Sequence, residues 1–114
     1  MKLSHLITLS FAIIALAGCQ RVSESSYVQM QKTLAKPAQH KQMVGYCSNR
    51  MGDKPLKYRQ NLAVVTGTNI ENMPTTFCRR IGQALASGRL TREDVNESSK
   101  GNLTPMVLKV IQGR

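Results

Sequence analysis

Residues 74–88 read Pro-Thr-Thr-Phe-Cys-Arg-Arg-Ile-Gly-Gln-Ala-Leu-Ala-Ser-Gly, and this stretch carries the clearest helix signal in the chain. Apolar residues recur at helical spacing and predict one buried face. That face consists of Phe77, Ile81, Ala84 and Leu85. The Pro-Thr-Thr sequence can begin the helix, and Gly88 can end it in a left-handed conformation. Cys78 borders the apolar face, so this helix is expected to carry a cysteine toward the interior.

Capping residues and prolines predict further helices on both sides of this one. Upstream, the predicted segments are a helix capped by Ser25 or Ser26 and ending near Lys36, a helix over 38–51, and a helix over 56–66 that buries Leu62, Val65 and Tyr58. The Leu-Ala-Val-Val run at 62–65 is equally compatible with a short strand. Downstream, two more helix starts are predicted at Thr91, which precedes two acidic residues, and at Thr104-Pro105.

The predicted fold class is all-α: a small bundle of four or five short helices, stapled by one disulfide between the second and the fourth. From residue 19 onward, 35 of 96 residues are apolar, about 36%, which suits one small domain with a thin core. Residues 84–94 (ALASGRLTRED) resemble the helix–Gly–turn–Thr–acid–helix arrangement of short SHOCT-type oligomerisation modules. The same pattern arises wherever a helix that ends at glycine meets a helix capped by threonine.

Residues 1–18 have the three parts of a secretory signal peptide. A short positive region with Lys2 precedes an 11-residue apolar run, 6–16, which is too short to span a bilayer as a helix. The run ends in Leu16-Ala17-Gly18-Cys19, which resembles the lipobox of bacterial lipoproteins. The alternative is an ordinary signal peptide that is cleaved at another position.

The lipobox resemblance implies a covalent membrane anchor on Cys19. Its thiol would carry a diacylglycerol, cleavage would follow Gly18, and the new amine would be acylated, for example with palmitate. Two or three acyl chains hold a protein firmly, whereas one gives reversible binding. Gln20, where an Asp would favour the inner membrane, implies the outer membrane and a position facing the periplasm. Residues 19–26 would be the lipidated N-terminus and tether, and 27–114 the helical domain.

With Cys19 acylated, Cys47 and Cys78 are left as a pair. In an oxidising compartment such a pair tends to form a disulfide, and we expect one here. Free thiols, a metal site and a nucleophilic Cys47–His40 pair remain as alternatives. A redox motif is disfavoured because the two cysteines lie 31 positions apart.

The chain contains no pattern typical of a catalytic site. It has no G-x-G-x-x-G, P-loop, G-x-S-x-G or H-E-x-x-H motif. Glu93 and Asp94 are adjacent carboxylates, but neighbouring helical residues point about 100° apart, so they are better explained as helix-start charges. We therefore expect no enzyme, no metal and no cofactor beyond the acyl groups on Cys19.

Positive charge is concentrated in the first four-fifths of the chain. Residues 20–92 carry 12 Lys and Arg against 3 Asp and Glu, whereas 93–114 carry three of each. The candidate residues for binding an anion or a partner are Arg50, Lys54, Lys57, Arg59, Arg79 and Arg80. A Cys47–Cys78 bond would draw the two groups toward one region of the surface. A basic surface without a specific ligand is the alternative.

These features favour a non-enzymatic, lipid-anchored envelope protein that binds an anionic component through a basic face. The expected partners are the membrane, through the anchor, and lipopolysaccharide, peptidoglycan or an envelope protein. Nucleic acid is disfavoured because aromatic residues are scarce and the compartment is wrong. The alternative function is a structural or assembly lipoprotein that self-associates through its C-terminal helices.

Overall fold

A computed structural model describes residues 21–114, and these residues form six helices and no strand. The helices are α1 Glu24–Leu34, α2 Pro37–Gly52, α3 Leu56–Thr66, α4 Met73–Ala86, α5 Arg92–Ser99 and α6 Pro105–Ile111. The predicted all-α class is confirmed. The helices number six rather than four or five, and α5 and α6 begin at the two predicted starts, Thr91 and Thr104-Pro105, each with its own cap. The run at 62–65 is helical, so the strand alternative is wrong.

Local signals in the sequence set most of the helix ends. Thr91 and Asp94 form a complete capping box at α5, and the Thr104 hydroxyl caps α6 by accepting from the Val107 N–H. Prolines occupy the first turns of α2, α4 and α6, where a missing N–H costs little. α3 ends at Gly67, whose φ of +71° is a left-handed conformation that glycine adopts without strain.

α4 is the central helix and packs against α1, α2, α3 and α6. Two apolar clusters lie along it: one is formed by Met51, Ala63, Met73 and Cys78, the other by Ala84, Leu90, Val107, Val110 and Ile111. α2 packs closely on α4 at Gly82, where a Cβ would collide with Met43 Cε and lie 2.8 Å from His40 Nε2. The helix predicted from residues 74–88 therefore organises the whole domain.

The Cys47–Cys78 disulfide joins α2 to α4, with Cα atoms 5.9 Å apart. The predicted pairing is confirmed, and both sulfurs are bonded, so neither is free to act as a nucleophile or a metal ligand. Closing a loop of this size stabilises a fold by about 3.7 kcal/mol in the chain-entropy model. That is a large share of the ~5–15 kcal/mol typical of a domain.

The first described residues dock onto α5. Arg21 pairs with Glu93 at 2.7 Å, and the Val22 N–H donates to Asn96 Oδ1 at 2.8 Å. Ser23 caps α1, which thus begins before the cap expected at Ser25 or Ser26 and before the domain boundary expected at 27. The signal peptide and the anchor predicted at Leu16–Cys19 lie outside the described residues. Within residues 21–114, no helix is long and apolar enough to cross a membrane.

Candidate functional site

Four of the candidate cations cluster where α2 ends and α3 begins. Arg50 lies in the last turn of α2, Lys54 in the connecting turn, and Lys57 and Arg59 in the first turns of α3. The Arg59 Nε donates to the Lys54 carbonyl at 2.9 Å, which ties the first turn of α3 to the connection before it. We call this surface, with Tyr46 and Tyr58, the basic corner.

Two tyrosines hold cations of the basic corner in place. The Arg50 guanidinium donates to the Tyr46 hydroxyl at 2.9 Å, and its Cζ lies 5.7 Å from the centre of that ring. The Lys54 Nζ lies 5.9 Å from the centre of the Tyr58 ring. A cation near an aromatic face loses part of its freedom without losing its charge. Arg50 and Lys54 are therefore positioned cations rather than freely moving side chains.

The charge of the basic corner is not neutralised within the described part of the chain. Its four cations lie beside one carboxylate, Asp53, and none forms an ion pair with an acid of residues 21–114. Leu56, in the same turn, is 54% exposed. An unpaired cationic surface with an exposed apolar side chain attracts anions and offers them an apolar contact as well.

The two arginines of α4 have different surroundings. The side chain of Arg80 donates from Nη1 to the Thr66 carbonyl at 2.8 Å and to the Ile111 carbonyl at 2.6 Å, so it joins the ends of α3 and α6. Arg79 is exposed and lines a separate depression with Arg80 and Arg89. Arg80 thus has a packing role, Arg79 lies in a separate depression, and the strongest candidate site is the basic corner.

The tyrosines of the basic corner were not among the candidates drawn from the sequence. Tyr58 was expected to be buried, but it is 47% exposed. The signal that could have revealed both is spacing, since Tyr46–Arg50 and Lys54–Tyr58 are each four residues apart. Residues four apart on a helix are neighbours on its surface, as the first pair is within α2.

The adjacent carboxylates Glu93 and Asp94 are occupied by the packing of α5. Glu93 pairs with Arg21, and Asp94 accepts hydrogen bonds from the Thr91 N–H at 2.9 Å and the Thr104 hydroxyl at 2.7 Å. Partial burial raises the pKa of Asp94, but these hydrogen bonds outweigh it and hold that pKa below its usual range. The two carboxylates thus act in capping and docking, as expected of helix-start charges.

The remaining titratable candidate, His40, lies against Gly82 on α4, and its Nε2 has no hydrogen-bond partner in the described part of the chain. Within residues 21–114, no three His, Cys, Asp or Glu side chains are grouped so that they could hold a metal ion.

Comparison with known proteins adds no relative. No protein-family model matches this chain, and no curated protein or solved structure is significantly similar to it. What the chain binds must therefore be inferred from its own surface.

Proposed function

We propose that this protein is a lipid-anchored, non-enzymatic component of the bacterial envelope that binds an anionic envelope component through its basic corner. The observation that carries the proposal is the set of four cations at one turn, unpaired by any acid of residues 21–114, of which Arg50 and Lys54 are positioned by two tyrosines. The proposed location is the outer membrane, facing the periplasm, and rests on the lipobox resemblance of Leu16–Cys19.

The chemistry of the basic corner favours phosphate or carboxylate groups. Arg50 offers a planar fork of donors that matches such groups, while Lys54 and Lys57 act as point charges. Tyr46 and Tyr58 each combine an apolar ring with a hydroxyl, the combination found where a protein meets a membrane interface. Phosphates of lipopolysaccharide or lipid head groups, peptidoglycan carboxylates and an acidic protein partner are the candidate ligands in the proposed compartment.

The docking of Arg21 and Val22 on α5 limits the distance between the domain and an anchor at Cys19. Arg21 follows Cys19 by two positions, and two extended residues span at most about 7 Å. A domain anchored at Cys19 would therefore stay close to the bilayer surface. Because electrostatic attraction extends ~8–10 Å at physiological salt, charges at that surface are within range of the domain.

The test of this proposal removes two positive charges from the basic corner and keeps Lys54 unchanged. The full chain carrying Arg50→Gln and Lys57→Gln is compared with a control carrying Lys41→Gln and Arg92→Gln, exposed residues of α2 and α5. Binding to lipopolysaccharide, to vesicles with anionic lipid and to peptidoglycan is measured at low and at moderate salt. We expect the corner variant to lose at least tenfold in affinity for one of them, with steep weakening by salt. Equal losses in both variants would contradict the proposal.

A second candidate function is self-association through the C-terminal helices, and exposed Leu103 and Leu108 favour it. Removing residues 104–114 would not test it cleanly, because Val107, Val110 and Ile111 belong to the core. Leu103→Asp with Leu108→Asp changes the exposed side chains instead. If self-association is the function, this variant becomes monomeric at any salt concentration, as measured by sedimentation; an unchanged oligomeric state would contradict it.

A further inference from the structure

An open apolar groove lies along α4, with α3 on one side and α5 and α6 on the other. Its volume is about 690 Å³, and its lining is mostly aliphatic and aromatic. The side chains that form it include Leu62 and Val65 of α3, Phe77 and Ile81 of α4, and Leu103 and Leu108 next to or within α6. We call this surface the apolar groove.

The apolar groove exposes side chains that a small domain normally buries. Val65 is 36% exposed, Leu108 39% and Leu103 66%. Val65 was expected in the core, and it is not there because α3 and α6 each pack on α4 without closing over it. Several large apolar side chains exposed in one concavity mark a binding site rather than chance exposure.

The apolar groove has a cation beside it and a carboxylate in its wall. Tyr58 lines the groove, and the Lys54 Nζ lies 5.9 Å from the centre of its ring. Asp94 lines the wall on the opposite side, where the N–H and hydroxyl of Thr91 and the hydroxyl of Thr104 donate to its oxygens. An anionic group is therefore attracted to the Tyr58 end of the groove and disfavoured at the α5 wall.

We propose that the apolar groove binds a single acyl chain that bears an anionic head group, such as a fatty acid or a lysophospholipid taken from the bilayer. The chain lies against Val65, Phe77 and Ile81, and the head group contacts Lys54. A volume of about 690 Å³ is within the ~300–1,000 Å³ range of small-molecule sites. This inference goes beyond the proposed function and shares only Lys54 and Tyr58 with the basic corner.

The geometry of α5 argues against the chain's own anchor as the occupant. Arg21 and Val22 dock on Glu93 and Asn96, whereas the groove is lined by Val95 and its neighbours. At 100° per residue, Glu93 and Val95 lie on opposite sides of this helix. Arg21, the first described residue, thus docks on the side of α5 that lies opposite Val95.

The first test labels the full chain in isolated membranes with a diazirine derivative of hexadecanoic acid. We expect the label on groove residues, at least a tenfold loss with Val65→Asp, and less than a twofold change with Val64→Asp, since Val64 is 81% exposed and lies outside the groove. Leu103→Asp, at an exposed position, must also lose labelling, and cooperative thermal unfolding followed by circular dichroism confirms that each variant is folded. Equal losses with Val64→Asp and Val65→Asp would overturn the proposal.

The head group is tested with the matched diazirine derivative of hexadecanol, which carries no charge. Lys54→Gln should lower labelling by the acid two- to fivefold and leave labelling by the alcohol unchanged. Equal effects on both probes would overturn the placement of the head group. The Arg50→Gln, Lys57→Gln variant should keep its labelling in the apolar groove. The test of acyl-chain binding is therefore independent of the test of anion binding by the basic corner.

Photocrosslinking in cells distinguishes the proposed lipid from other molecules that could occupy the apolar groove. A photoreactive benzoylphenylalanine replaces Leu103 in the full chain, and the adduct is identified by mass spectrometry after illumination. An adduct with the mass of a free anionic acyl lipid supports the proposal. Adducts to a second copy of the chain, to another protein, or to the acylated peptide that contains Cys19 would each overturn it.

Discussion

The two sides of α4 are held together by different means. On the α2 side, the Cys47–Cys78 disulfide and the close approach at Gly82 leave no room between the helices. On the side of α3 and α6, the Arg80 guanidinium joins the two helix ends, and the apolar groove stays open between them. In a small chain without tryptophan, a covalent link on one side allows apolar surface to stay exposed on the other.

The largest expected effect comes from removing the covalent link on the α2 side. Replacing both cysteines, Cys47→Ser with Cys78→Ser, should lower the free energy of unfolding by about 3.7 kcal/mol, because the unfolded chain regains the entropy of a 31-residue separation. Denaturant unfolding of the oxidised protein and of the variant measures the difference. A loss below about 1 kcal/mol would show that packing alone holds the α2 side.

Removing the Arg80 side chain, which joins the ends of α3 and α6, should have the next largest effect. Arg80→Ala deletes charge-assisted hydrogen bonds to Thr66 and Ile111 and should cost about 2–3 kcal/mol. Arg80→Lys keeps the charge, but the lysine side chain is one bond shorter than the path to Arg80 Nη1, which donates to both carbonyls, so it should cost less than Arg80→Ala but more than nothing. Thermal unfolding of the two variants checks this order. Equal stability of Arg80→Ala and the unmodified protein would show that these hydrogen bonds do not stabilise the fold.

The close approach of α2 and α4 is tested by a pair of glycines. A Cβ at Gly82 would collide with Met43, so Gly82→Ala should destabilise the protein by about 1–3 kcal/mol. Gly45, on α2, has open space around it, so Gly45→Ala should stabilise the helix by about 0.5–1 kcal/mol. Denaturant unfolding of both variants measures the sign of each change in the free energy of unfolding. A stabilising effect of both would mean that Met43 and His40 move aside for the added methyl group, and that the packing at Gly82 is not tight.

The smallest expected effect concerns the α5 cap and depends on pH. Because the pKa of Asp94 is lower in the folded protein, its hydrogen bonds add stability above the unfolded pKa of about 3.9, and that stability is lost as the pH falls through the folded value. Asp94→Asn should therefore cost about 0.5–1 kcal/mol near pH 7 and progressively less below about pH 4. A stability difference between Asp94→Asn and the unmodified protein that grows as the pH falls would contradict this prediction.

The elements that were predictable from the sequence are those with strong local signals. The helix expected over 74–88 is observed at Met73–Ala86, because its periodicity, its proline and its glycine all lie within fifteen residues. The start of α1 was less well defined, because several serines nearby offer equivalent caps. Asn96, 74 residues away, contributes to that choice by accepting from the Val22 N–H.

The surfaces depended on tertiary geometry that no local pattern encodes. Val65 and Tyr58 have helical spacing typical of a buried face, yet both are partly exposed, because burial depends on the distance between α3 and α6. The cations of the basic corner could be named from the sequence, but the structural role of Arg80 could not. Its partners, Thr66 and Ile111, lie 14 and 31 residues away along the chain.

The binding role of the basic corner is tested most directly by crosslinking in cells from within it. Benzoylphenylalanine replaces Leu56, which is 54% exposed in the corner, and in a matched chain it replaces Val64, which is 81% exposed outside it. We expect an adduct with an anionic envelope component at position 56, lost when Arg50→Gln and Lys57→Gln are added, and no such adduct at position 64. Equal capture at both positions, or capture at 56 that survives loss of the cations, would contradict it.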